Sequence, residues 1–104
     1  METTILTFSI RVPFSLWAAG FDSPQATQMH KANGVTPLYR GMSTEDSSKV
    51  VVIHQAAPGV VRKMFEDNKA AIAATGHVVD STVITTFVEH APPCLLYTSP
   101  SPRD

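Results

Sequence analysis

The stretch SKVVVIHQAA (Ser48–Ala57) restricts the fold more than any other part of the chain. Val50, Val51, Val52 and Ile53 are four β-branched apolar residues in succession, so as a strand they are apolar on both faces. A strand of that kind belongs in the interior of a sheet that is covered above and below. The chain must therefore supply strands on both sides of it and two covering layers, or borrow one layer from a partner.

The neighbouring strands are readable. Over residues 4–12, Thr4, Leu6, Phe8, Ile10 and Val12 alternate with Ile5, Thr7, Ser9 and Arg11, which predicts a strand with one strongly apolar face, ended by Pro13. Residues 35–43, VTPLYRGMS, predict a second strand whose Pro37 confines it to an edge or a strand start. TEDSS (44–48) is a polar turn of hairpin length leading into the strand KVVVIHQA. HVVDSTVITTFVEH (77–90) predicts a long β-branched strand with apolar residues of both parities.

Helical patterns fill the intervals. Phe14, Trp17, Ala18 and Phe21 recur at helical spacing, and DSPQATQMHKANG restarts the helix with Ser23 as N-cap, Pro24 at the first position and Gly34 past the end. PGVVRKMFEDNKAAIAATG (58–76) predicts one helix opened by Pro58, striped by Val61, Met64, Phe65 and Ile72, and closed by Gly76. The order strand, helix, strand, strand, helix, strand implies an α+β, ferredoxin-like βαββαβ fold. Its four-stranded antiparallel sheet runs in the order 4-1-3-2 with the helices on one face. The opposite face then shows apolar residues with no layer of its own, and closed two-fold pairing of two such faces predicts a homodimer.

Composition supports that reading. With 104 residues the chain is expected to form a single domain over 1–90, followed by a Pro-rich, disordered tail over 91–104. Only 16% of residues are charged against 43% hydrophobic, so some apolar surface stays uncovered unless a partner covers it. The formal net charge of -1, with its eight Lys and Arg scattered, offers no footprint for nucleic acid. No apolar run approaches the roughly 20 residues that span a bilayer, and METTILTFSIRV lacks the basic start of a signal peptide, so a cytoplasmic protein is expected. The single cysteine, Cys94, excludes an intrachain disulfide and any multi-cysteine metal site.

Several chemistries fail on spacing. The five glycines are dispersed, so no Gly-rich phosphate loop precedes a helix. His30, His54, His77 and His90 fall in four different segments with no histidine partner at i+3 or i+4, which leaves no metal motif and implies no cofactor. His54 is the candidate catalytic residue. It is either a strand histidine satisfied by its neighbours or a polar group in the cleft between sheet and helices, binding a small apolar or aromatic ligand or moving a proton. Arg11 and Asp80 come close if the first and last strands pair antiparallel, as an ion pair bordering the sheet or as an anion-binding arginine held by a carboxylate. Tyr39 lines the same ligand or packs at the dimer edge. Trp17, Phe14 and Phe21 read as helix core, and His77, just after Gly76, as a cation favoured at a helix C-terminus.

Two stretches, LYRGMSTEDSSKVVVIHQA and MFEDNKAAIAATGHVVDSTVITTF, resemble a small family of cyanobacterial proteins of the dimeric α/β-barrel type. The resemblance covers residues 3–89 and implies the fold and a dimer. The wider fold group includes cofactor-free monooxygenases, lactone isomerases and haem-degrading enzymes, so it also implies an alternative function: a small cofactor-free monooxygenase or isomerase with His54 as proton-transfer group. CLLYTSPSPRD (94–104) resembles a translated sequencing-adapter fragment, which implies that this end is not native sequence.

Overall fold

A computed structural model describes residues 1–90; the tail expected over 91–104 lies outside them. The elements are β1 (Glu2–Ile10), α1 (Phe14–Phe21), α2 (Pro24–Ala32), β2 (Thr36–Met42), β3 (Lys49–Ala56), α3 (Val60–Asp67), α4 (Lys69–Ala74) and β4 (His77–Val88). The sheet is antiparallel throughout in the order β2-β3-β1-β4, which is the expected order read from the other edge. The strand rich in valine is β3, interior as its two apolar faces require.

Alternation decides what each face carries. On β1 the even residues Thr4, Leu6, Phe8 and Ile10 are buried, and on β3 so are Val50, Val52, His54 and Ala56. These meet Trp17 and Ala18 of α1 and Val61, Met64 and Phe65 of α3, so one apolar core lies between the sheet and one helical layer. Cross-strand pairs Leu6–Val52 and Phe8–Val50 sit at its centre.

The first helical region follows the sequence closely. It breaks between α1 and α2 at Asp22 and Ser23; the Ser23 hydroxyl accepts from the Ala26 N–H at 3.2 Å, and Pro24 opens α2. Arg40 of β2 pins this junction, its guanidinium donating to both carboxylate oxygens of Asp22.

Two expectations are corrected. The helix predicted over 58–76 is two helices with a break at Asn68. The Asn68 side-chain amide donates to the Met64 carbonyl at 2.8 Å, the acceptor its own backbone N–H would use in a continuous helix, and that N–H turns to Phe65 instead. Pro58 does not open α3; Gly59, at φ +80°, precedes it, and the Glu2 carboxylate accepts from the Gly59 N–H at 3.0 Å. β4 is the long strand expected, and a bulge interrupts its pairing with β1. Between the pairs Thr7–Val83 and Ser9–Val78, the residues Val79 to Thr82 bulge opposite Phe8. Ser81 holds the bulge, accepting from the Ser9 N–H at 2.8 Å and donating to the Val78 carbonyl at 2.6 Å.

The bulge explains why β4 is apolar at both parities. At its start Val79 packs on the core, after it Ile84 does, and the odd residues Val83 and Phe87 are left 59% and 51% exposed.

Candidate functional site

A cavity of about 230 Å³ separates the sheet from the helices. Leu6, Phe8, Val52 and His54 supply the sheet side, Trp17, Phe21 and His30 one helical wall, and Met64, Phe65 and Ile72 the other. Its polar lining is sparse: Ser23 and Gln25 at the start of α2, Thr75 after α4, and three imidazoles.

His54 stands on the inner face of β3, opposite Thr4 on β1 and Pro37 on β2. Only 4% of it is exposed, and its Nδ1 has no hydrogen-bond partner among the described residues. Burial, assisted by the nearby His30, pushes its pKa down to about 4, so the ring is neutral at pH 7. The Phe21 ring lies near-parallel to it with centroids 5.9 Å apart.

His30 is a site residue that the spacing of histidines does not reveal. It comes from the last turn of α2, is buried, and sits with its ring centroid 5.0 Å from that of His54; burial lowers its pKa too. A signal was nevertheless present. Only residues 33–35 separate α2 from β2, and a β2–β3 hairpin puts the start of β2 against the end of β3. That topology brings the end of α2 beside His54.

His77 corrects another expectation. It is not a cation at a helix end but a buried ring stacked on Phe8, with centroids 3.6 Å apart and planes 6° from parallel. Its Nε2 shares a hydrogen bond of 2.7 Å with the Thr82 hydroxyl, and burial lowers its pKa to about 4. The β4 bulge carries Thr82 back over the ring, and a neutral imidazole tolerates that burial where an imidazolium would not. Trp17, at 3% exposure, is core as its helical spacing suggested.

The other candidates stand apart from this cavity. Arg11 is exposed and its guanidinium donates to the Ala73 carbonyl at 3.1 Å, at the end of α4. Asp80 is exposed on the bulge. The described residues hold three ion pairs, Arg40–Asp22, Lys63–Asp67 and Lys69–Glu66, and Arg11 with Asp80 is not among them. Tyr39 lies on the outer side of the edge strand β2, over Gly41, where a Cβ would stand 2.7 Å from the tyrosine hydroxyl. Among the described residues no three His, Cys, Asp or Glu side chains converge as metal ligands, and no helix is long and apolar enough to cross a membrane.

This arrangement is a small apolar chamber with neutral imidazoles in its wall, and the same fold occurs in solved structures. The chain is similar to a monooxygenase of Streptomyces coelicolor in complex with the ligand Nanaomycin D: TM-score 0.64, 14% identity, covering 96% of this chain and 92% of that one. It is similar also to SnoaB, a cofactor-independent oxygenase of Streptomyces nogalater, with TM-score 0.60 and 12% identity over 88% of this chain and 95% of that one. At such identities the likeness establishes the ferredoxin-like α/β fold of these oxygenases. No curated protein matches the sequence. A family model described as a domain of unknown function, DUF3764, matches residues 1–89, and the chain belongs to that family.

Proposed function

We propose that the protein binds a small, mainly apolar ring compound in the chamber between sheet and helices, working as a homodimer closed through the outer sheet faces. The unpartnered Nδ1 of the buried His54 carries this reading. Leaving such an atom without a hydrogen bond costs about 1–3 kcal/mol, and a ligand hydroxyl or carbonyl relieves it. Volume limits the ligand. A cavity of about 150 Å³ takes a benzene, so 230 Å³ suits one ring or two fused rings.

A panel of naphthalene and naphthol tests the reading. Naphthol is expected to bind at least tenfold more tightly than naphthalene, with the His54 ring signals shifting in the NMR spectrum and the preference vanishing in His54→Phe. Equal affinities, or binding of neither, would count against it.

The likeness to two oxygenases favours a second reading, in which His54 transfers a proton during cofactor-free oxygenation or isomerisation. A ring with a pKa of about 4 is a weak base, so the substrate must form a stabilised anion, as hydroxyaromatics and 1,3-dicarbonyls do. Metal-independent oxygen consumption with such a compound, lost in His54→Ala, is the expected result. Consumption that persists in the variant would remove His54 from that role.

For the dimer, support comes from Ile5, Val51, Ile53, Val83 and Phe87, which share the sheet face that no helix of the described residues covers, with Tyr39 at its edge. At the sheet border the exposed Arg11 guanidinium is an anion contact in this reading, with Asp80 held apart from it by the bulge; phosphate-dependent shifts at Arg11 but not at Asp80 are the expected result.

A further inference from the structure

His30 lies between two cavities. Besides the apolar chamber it lines a second recess of about 310 Å³ on the β2 side, shared with Asp22, Thr27, Lys31, Val35 and Pro37. Phe21 and His30 are the two residues common to both. They form a thin partition, their ring centroids 5.2 Å apart, with the His54 ring behind it on the chamber side.

The two sides of the partition differ in character. The chamber is walled by aromatic and aliphatic side chains, whereas Asp22, Thr27 and Lys31 in the recess are exposed to solvent. Phe21 passes no protons. His30 has two ring nitrogens, and no hydrogen bond among the described residues engages either of them. An imidazole in that position is both wall and wire.

We propose that His30 relays protons between solvent in the outer recess and His54 in the chamber. The proposal rests on His54 being the chamber's working polar group. A proton taken up at one nitrogen of His30 makes a transient imidazolium. Its loss from the other nitrogen, to a water in the shared chamber and from there to His54, restores a neutral ring in the opposite tautomer. One proton enters and one leaves, and a ring flip or a passage in the reverse direction resets the tautomer. With their centroids 5.0 Å apart the two rings are close to contact, so the bridging water sits beside them in the chamber and not between them. Asp22, the nearest carboxylate in the recess, is tied to Arg40, and Lys31 is the recess cation.

The test uses ligand-free protein with 15N-labelled histidine and follows the exchange of ring N–H protons with water. In His30→Phe, whose ring keeps the partition but carries no proton, exchange at His54 is expected to slow at least tenfold. Exchange at His77, on the far side of Phe8, stays unchanged. If His54 exchanges as fast as before, or faster, protons reach it by a route that does not involve His30 and the relay is overturned. Should His30→Phe not fold, His30→Gln must give the same slowing, since an amide cannot hand a proton from one nitrogen to another; wild-type exchange in that variant overturns the proposal equally. Because no ligand enters the measurement, its outcome is independent of whether the naphthol panel finds one.

Discussion

The two faces of one sheet are mismatched with their surroundings in opposite ways. The inner face lies under the helices, yet it carries Thr4, His54 and His77, polar groups that an apolar core does not call for. Among the described residues nothing covers the outer face, yet it carries Ile5, Val51, Ile53, Val83 and Phe87, which water does not favour. Under the proposed function each mismatch answers to a component: inside, a small molecule that pairs with an imidazole, and outside, a second apolar surface. The contrast within β3 is sharpest: Val52 and His54 point into the chamber, while Val51 and Ile53 between and before them point out.

The largest expected effect separates the faces by energy. Phe8→Ala removes a ring packed between Trp17 and His77 and is expected to cost about 3–5 kcal/mol in denaturant unfolding. Phe87→Ala, a change of the same size on the other face, should stay within about 0.5 kcal/mol when measured on separated subunits. Comparable losses at both positions would mean that the faces are not the distinct environments described above.

Acid sharpens the inner face next. His54 has a pKa of about 4 in the folded chain against 6.5 unfolded, so between those values the unfolded state binds more protons. Stability is complete above pH 6.5 and falls as the pH drops toward 4. The His54 share of that loss is about 3 kcal/mol. His77 is shifted in the same direction and adds to it. His54→Phe should flatten the pH profile in this window, which urea unfolding at a series of pH values would read; an unaltered slope would mean that His54 is not buried as described.

On the outer face, Val83→Asp places a charge within the proposed interface. Association is expected to weaken at least a hundredfold, about 2.7 kcal/mol, while the subunit stays folded. Light scattering across a dilution series reads this directly. A wild-type protein that is already monomeric at micromolar concentration would remove the proposed partner altogether.

Much of this layout was legible because it rests on periodicity. The alternation in residues 4–12 and the doubly apolar run in β3 suffice for the sheet order and for which face of β1 is buried. What stayed hidden depends on short polar side chains competing with backbone hydrogen bonds. Asn68 breaks a helix by taking the Met64 carbonyl, and Ser81 and Thr82 make the β4 bulge by bonding the backbone and His77. None of the three side chains disturbs the hydrophobic pattern, so a reading by pattern passes over them. For the site, His54 was visible as a lone polar residue at the end of an apolar run. Its partner His30 becomes visible only when the short α2–β2 link is combined with the hairpin register.

The smallest effect concerns the border between the faces. Uninterrupted pairing of β1 with β4 would bring Asp80 toward Arg11; the bulge takes Asp80 out of register, and the Arg11 guanidinium goes to the Ala73 carbonyl instead. A double-mutant cycle separates the two possibilities. Arg11→Ala should cost about 0.5–1 kcal/mol through the lost cap on α4, Asp80→Ala almost nothing, and their coupling should be zero within error. A coupling of about 1 kcal/mol would instead reveal a working ion pair. The bulge would then have to relax in solution, Ser81 would release the Ser9 N–H, and the register that stacks His77 on Phe8 would be in question as well.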